Sequence, residues 1–256
     1  MKTPLSYSAW SSKDLRRLDA EGAISHNWQA QWDYARANIA YMDFCTAIAE
    51  SEGPVLEVAA GPGGGNLSPL LHIDPALDIV LNDIEPGITE RWQLFLDETL
   101  PGHRVTFATF DICHMPFEDA TFACVSSSGG FSTMLGAHSA ALEECARVLK
   151  PGGLVYAHEL TLTEACLSKM PEALRKALIY HPWLFRCWDS LLSDAGLSRI
   201  ILNNVDRRKL SPGESPLATD AAMFDAEIEV ERILLVARTI EGTVKLNREG
   251  KTCMTC

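Results

Sequence analysis

Short apolar runs alternate with helix-forming stretches from residue 54 to 160, and this alternation restricts the fold more than any other feature of the chain. Strand candidates at 54–59, 78–82, 104–110, 122–127 and 154–158 are separated by helix candidates near 66–72, 86–96 and 139–149. The first three strand candidates begin about 25 residues apart, the spacing that repeated strand–helix crossovers require. The pattern predicts parallel strands covered by helices on both faces. The clearest local signal is LEECARVLKPGGLVYAHEL at 142–160. Glutamates open a helix there, Arg147 and Lys150 close it, and Pro151-Gly152-Gly153 stop it before a strand.

Beyond residue 160 the order changes. Residues 163–195 read as helices broken near His181-Pro182, and two strand candidates follow at 199–205 and 229–238. The connection between them exceeds ordinary hairpin length and reads as an insert over 206–228. A helical pattern over 27–50 precedes the first strand. The expected organisation is an N-terminal helical cap or lid at 1–50, one α/β domain at 51–240 and a tail at 241–256. The helices at 163–195 and the insert are expected to cap the substrate side.

Charge and composition exclude several classes of function. The net charge is −12 without a dense Lys/Arg run, which argues against a nucleic-acid partner, since phosphate neutralisation dominates that affinity. The short DRRK run at 206–209 does not reverse that balance. No apolar run reaches the roughly 18 residues of a membrane span, and the N-terminus has no signal core. A cytoplasmic protein is expected. Its eight cysteines, scattered mostly through apolar segments, fit reduced thiols rather than a disulfide framework.

The stretch VLEVAAGPGGG at 55–65 follows the first strand and opens the first helix. Open α/β sheets bind ligands at that edge, and glycine lets backbone approach a ligand closely. A dinucleotide fingerprint would need glycine at 59, where alanine stands. Two more acids join Glu57 at the same sheet edge. Asp83 ends the second strand, and Asp111 ends the third. A carboxylate after strand two suits ribose hydroxyls, and one after strand three suits an adenine amino group. Three acids repel a polyanion such as a pyrophosphate and suit a cationic adenosyl ligand.

Taken together, these elements resemble the class I S-adenosylmethionine-dependent methyltransferases, in particular the broad small-molecule group. The first motif of that family, E/D-x-G/A-x-G-x-G, is matched by Glu57-Val58-Ala59-Ala60-Gly61-Pro62-Gly63. Its second-strand acid is matched by Asp83 in LNDIEP, and its third-strand segment by Asp111-Ile112-Cys113-His114-Met115-Pro116-Phe117. Its helix-stop-strand element is matched by Arg147 to Gly153, RVLKPGG. Strand four departs from the usual F-D-x-V, reading Phe122-Ala123-Cys124-Val125. The resemblance covers about residues 50–160 and implies a Rossmann-like three-layer sandwich. Its sheet would have seven mostly parallel strands with an antiparallel last strand.

The resemblance also implies S-adenosyl-L-methionine as cofactor and S-adenosylhomocysteine as product. Ala59, Gly61 and Gly63 would line the methionine part, and Glu57 would orient its amino group through water. Asp83 would hold the ribose with Ile84 beside the adenine, while Asp111 and the backbone of Ile112 address the adenine edge. Ser127, Ser128 and Gly129 would lie near the sulfonium. Methyl transfer is then an in-line displacement that depends chiefly on positioning, with a nearby base to take the acceptor's proton. His158 and Glu159, at the end of the fifth strand candidate, are the candidates for that role. Tyr7, Trp10, Tyr34, His138 and His181 are candidates for the acceptor pocket, which is expected to take a small molecule. No metal ligand set is expected: the terminal Cys253/Cys256 pair lacks a second pair. The alternatives are a cofactor-binding regulatory protein without catalysis and an aminopropyl transferase. The latter needs an acid soon after strand four, where FACVSSSGGFSTM supplies none.

Overall fold

β-Branched and leucine-rich runs form the interior strands, and loops rich in glycine and acids lie at their carboxyl ends. The computed structural model describes residues 32–33, 39–131, 134, 137–177, 188–212, 218 and 221–240. In chain order the elements are α1 (Ile39–Ala49), β1 (Val55–Glu57), α2 (Leu67–Ile73), β2 (Ile79–Asp83), α3 (Pro86–Thr99) and β3 (Val105–Thr109). A 3₁₀ turn (Ile112–His114), β4 (Phe122–Ser128), α4 (His138–Val148) and β5 (Leu149–Leu162) follow. The chain then forms α5 (Glu164–Lys169), α6 (Glu172–Ala177), α7 (Trp188–Asp194), β6 (Leu197–Leu210) and β7 (Ile228–Thr239).

The seven strands form one sheet in the order β3-β2-β1-β4-β5-β7-β6. β1 to β5 pair in parallel, while β7 runs antiparallel to both β5 and β6. The expected α/β fold with a reversed last strand is therefore present. The strand order turns back between β1 and β4, which opens a crevice at their carboxyl ends.

Strand alternation divides the core into two layers. Val55, Ile79, Leu81 and Tyr156 face α1, α2 and α3, joined by Trp32, which is buried against His72 and Phe95. Leu56, Val125, Val155 and Leu235 face α4 and α7. A smaller cluster of Leu162, Cys166, Met170, Leu174, Ala221 and Val230 gathers α5 and α6 around the far ends of β5 and β7.

β5 and β6 are longer than their sequence patterns suggest. β5 starts directly after α4, and its Lys150–Gly153 segment is accommodated as an irregularity between the Phe122 and Cys124 pairings. β6 continues through Asp206–Leu210, so the first residues of the expected insert belong to the sheet. A bulge between Asn204 and Asp206 breaks the alternation that would have revealed this. Of the helices expected over 163–195, α7 buries Trp188, Leu191 and Leu192 against the α4 face of the sheet. Among the described residues of that stretch, α5 and α6 sit at the outer end. Among the described residues, no helix is long and apolar enough to cross a membrane.

Candidate active site

The loop after β1 answers its own glycine content. A Cβ on Gly65 would lie 1.9 Å from Glu57 Oε1, and one on Gly64 would lie 2.3 Å from the Trp92 ring. Those two glycines admit close packing beneath the loop. At Gly61 and Gly63 an added Cβ meets nothing within 4 Å. Their open sides form a shallow cradle that any side chain would fill.

Backbone donors of this loop are taken up by the end of β2. Ala60 N–H donates to Asn82 O (3.0 Å), and Gly61 N–H to Asp83 Oδ2 (2.8 Å). The Asn82 side chain ties three segments together: it accepts from Ala59 N–H (3.4 Å) and donates to the carbonyls of Ala108 (3.3 Å) and Phe110 (3.0 Å). Trp92 Nε1–H donates to Gly61 O at 3.0 Å. Ala59 has φ +50°, a left-handed conformation that costs about 1–2 kcal/mol for a residue with a Cβ.

Glu57 lies under the loop, fully buried. Its Oε1 accepts from Asn66 N–H (3.0 Å), and its Oε2 accepts from Asn66 Nδ2 (3.1 Å) and from the Ser126 hydroxyl. Burial outweighs these hydrogen bonds and pushes its carboxyl up to about 7. The described geometry thus gives Glu57 a hold on the start of α2.

Asp83 is nearly buried, and burial raises its carboxyl above the ordinary range. Oδ1 accepts from Glu85 N–H (2.9 Å) and Oδ2 from Gly61 N–H (2.8 Å). A carboxylate has about four lone-pair sites, so these bonds leave Asp83 capacity for a further donor. Ile84 beside it is 67% exposed, an apolar side chain standing in solvent at the crevice. Asp111 is exposed and caps the 3₁₀ turn, accepting from Cys113 N–H at 2.9 Å, and this bond holds its carboxyl below the usual range. Ile112 is buried.

β4 delivers the opposite wall. Gly130 lies so close to the first loop that a Cβ there would sit 2.8 Å from the Ala59 Cβ, so the two loops are in contact. Ser127 is buried and bonds Gly130 N–H (3.2 Å) and Glu159 Oε1 (3.4 Å). Glu159 Oε1 also accepts from Phe131 N–H at 3.2 Å. Gly129 N–H donates to His158 O at 2.7 Å, and its own Cβ direction is open.

His158 and Glu159 do not share a site. They are adjacent on β5, which runs on to Leu162, so their side chains point to opposite faces of the sheet. Glu159 faces the α4 layer. His158 faces the α1–α3 layer, with Nδ1 3.3 Å from Ser128 Oγ. Burial first, then the nearby Arg232 charge, lowers the imidazole to about 4, with Asp206 opposing. His138 is buried, and its Nε2 donates to Phe131 O at 3.0 Å. Tyr7, Trp10, Tyr34 and His181 lie outside the described residues, as does the Cys253/Cys256 tail.

Two features had no separate signal in the sequence. Asn82 is a polar residue in an otherwise apolar strand, and its bridging role exists only once β1, β2 and β3 are adjacent. Arg147 connects two motifs: it donates to the carbonyls of Phe117 (2.7 Å) and Met115 (3.0 Å) and pairs with buried Glu144 at 2.8 Å. Glu144 in turn accepts from Met115 N–H at 2.9 Å. Among the described residues, no group of three or more His, Cys, Asp or Glu is placed to hold a metal ion.

Comparisons with known proteins agree with this fold. Residues 56–157 match the family model described as a methyltransferase domain. A candidate methyltransferase from Bacillus halodurans C-125 superposes with TM-score 0.57 at 19% identity, over 78% of this chain and 98% of that one. Geranyl diphosphate C-methyltransferase from Streptomyces coelicolor A3(2), solved with S-adenosyl-L-homocysteine, gives TM-score 0.55 at 10% identity, over 78% and 77%. The [4+2]-cyclase SpnF gives 0.52 at 18%, over 79% and 83%. Residues 56–157 therefore match a methyltransferase domain, set in a sheet whose fold is shared with solved methyltransferases.

Proposed function

We propose that this protein transfers a methyl group from S-adenosyl-L-methionine to a small-molecule acceptor. The observation that carries the reading is the open cradle at Gly61 and Gly63 beside Asp83, whose carboxylate reaches the cradle's own backbone. When bound, S-adenosyl-L-methionine supplies a methyl group on a sulfonium, open to in-line displacement with S-adenosylhomocysteine as product.

The residues present fit such a ligand. Asp83 keeps lone-pair capacity for a ribose hydroxyl, and exposed Ile84 offers an apolar surface to an adenine face. Ala59, Gly61 and Gly63 line the methionine side, Ser127 to Gly129 face them from β4, and Asp111 with Ile112 closes the adenine end. Glu57 acts through the loop that it anchors. Positioning does most of the work in this reading.

A general base works best with a pKa near the working pH, and His158 at about 4 is far from that. His158 is therefore assigned to orienting the acceptor together with Ser128. Glu159 is assigned to holding the loop at Phe131. The test is incubation with methyl-labelled S-adenosyl-L-methionine and fractionated small-metabolite pools, followed by mass spectrometry. Labelled product in at least one pool supports the reading. SpnF, a cyclase on this fold, motivates the second reading, a cofactor-binding protein without methyl transfer. Binding of S-adenosylhomocysteine with no labelled product from any pool favours that second reading.

A further inference from the structure

Past Ser128, β4 ends while β5, β7 and β6 continue, and these three strands overhang the carboxyl edge of the sheet. The last β4–β5 pairing is Ser128 with His158, whereas the β5–β7 pairing runs on to Leu162 with Val230. The overhang's two faces differ in charge. On the α4 side the cations are matched: Arg207 pairs with Glu231, and Lys209 with Glu227 at 2.6 Å. On the side that His158 faces stands Arg232, paired across β7 and β5 with Leu160, two residues beyond His158. That offset places it about 7 Å further out along the strand.

Arg232 is a largely buried cation with a weak counter-ion. Its side chain is 19% exposed, and among the described residues its ion pair is a single contact from Nε to Asp206 Oδ1 at 3.5 Å. That is longer than a charge-assisted hydrogen bond of roughly 2.7–2.9 Å. Asp206 itself is 47% exposed, so water and salt screen it. A guanidinium offers five donors in a planar fork that matches a carboxylate or phosphate, and this one uses a single edge loosely. Leu234 and Leu160 hold neighbouring positions on that face and His158 lies between it and Ser128, while a second cation, Arg208, stands on the same face two residues beyond Asp206.

We propose that Arg232 binds an anionic group, carboxylate or phosphate, on the methyl acceptor. The inference rests on the methyltransferase reading, since that reading makes the crevice beside Ser128 and Gly129 the place of reaction. The acceptor then lies along the overhang. Its nucleophile is at the Ser128–Gly129 end, and its anionic end is one strand repeat outward at Arg232. Asp206 competes with the ligand for the guanidinium, while the Arg232 charge itself disfavours cationic acceptors.

The test uses the full chain, 15N-labelled, titrated at fixed ionic strength with inorganic phosphate and separately with succinate, with and without S-adenosylhomocysteine. The probes are the Arg232 Nε–Hε resonance, assigned by its loss in Arg232→Lys, and the Ser128 and Gly129 amides. The expected result is a saturable shift of the Arg232 signal in the millimolar range or tighter. Asp206→Asn should tighten it at least threefold, and Arg232→Met should abolish saturation at the amides. A non-saturable response, or amide shifts of equal affinity in Arg232→Met, overturns the proposal. Calorimetry with S-adenosylhomocysteine on the same samples separates the two claims. Its binding with no phosphate response sinks only the anion site, whereas a phosphate response without its binding sinks the methyltransferase reading.

Discussion

Gly63 and Gly65 stand two residues apart in the loop after β1 and predict opposite outcomes for the same substitution. Gly65→Ala places a methyl group against the Glu57 carboxyl and in a left-handed conformation, φ +55°. Backbone strain and disturbed buried hydrogen bonds together should cost about 2–4 kcal/mol, read as a lower unfolding midpoint in denaturant. Gly63→Ala meets open space, so it should change stability by less than about 1 kcal/mol while lowering S-adenosylhomocysteine affinity at least tenfold. Glu57 gives a second prediction at this scale. Its folded pKa is raised from 4.5 to about 7, so the folded state keeps a proton that the unfolded chain releases first. The stabilisation is fully present below pH 4.5 and is lost as pH rises from there through about 7. Over that window the wild type should lose up to about 3 kcal/mol relative to Glu57→Gln, measured by denaturant titration at several pH values.

At the scale of elements, the RVLKPGG segment does more than stop a helix. Arg147, in the last turn of α4, clamps the segment after the 3₁₀ turn through Met115, Phe117 and Asp119 and neutralises buried Glu144. Arg147→Met should cost about 3–5 kcal/mol, because it leaves a buried carboxylate without its partner. Adding Glu144→Gln should restore part of that loss, and a double-mutant cycle by chemical denaturation measures how much. The sequence displayed both motifs but not their connection, since residues 30 apart meet only in the folded layers. The same limit applies to β6. The strand was visible over 199–205, but its bulge and its run of exposed residues conceal the outer part, 206–210, which becomes evident only when β7 supplies the register. Strands β1 to β4, by contrast, were legible to within a residue or two at their ends: β1, β2 and β4 are buried parallel strands that read as short apolar runs, and all four are bounded by turns. The cap expected from 163–195 divided because α7 has an apolar side that fits the sheet face beside α4.

For the molecule as a whole, the sheet's reversal between β1 and β4 brings Asp83, the glycine cradle and the Ser127–Gly129 segment to one crevice. The acids and glycines were legible because they occupy fixed places after successive strands. Asn82 and the separation of His158 from Glu159 were not, since they depend on strand neighbours and on which face a residue takes. The central claim is that this crevice holds an adenosyl ligand through Asp83. Calorimetric titration of the folded protein with S-adenosylhomocysteine, beside NAD and an Asp83→Ala variant, tests it most directly. The account predicts saturable binding of S-adenosylhomocysteine, none of NAD, and an affinity at least tenfold weaker in a variant that remains folded by circular dichroism. Absence of binding by folded wild type, preference for NAD, or unchanged affinity in Asp83→Ala would contradict it.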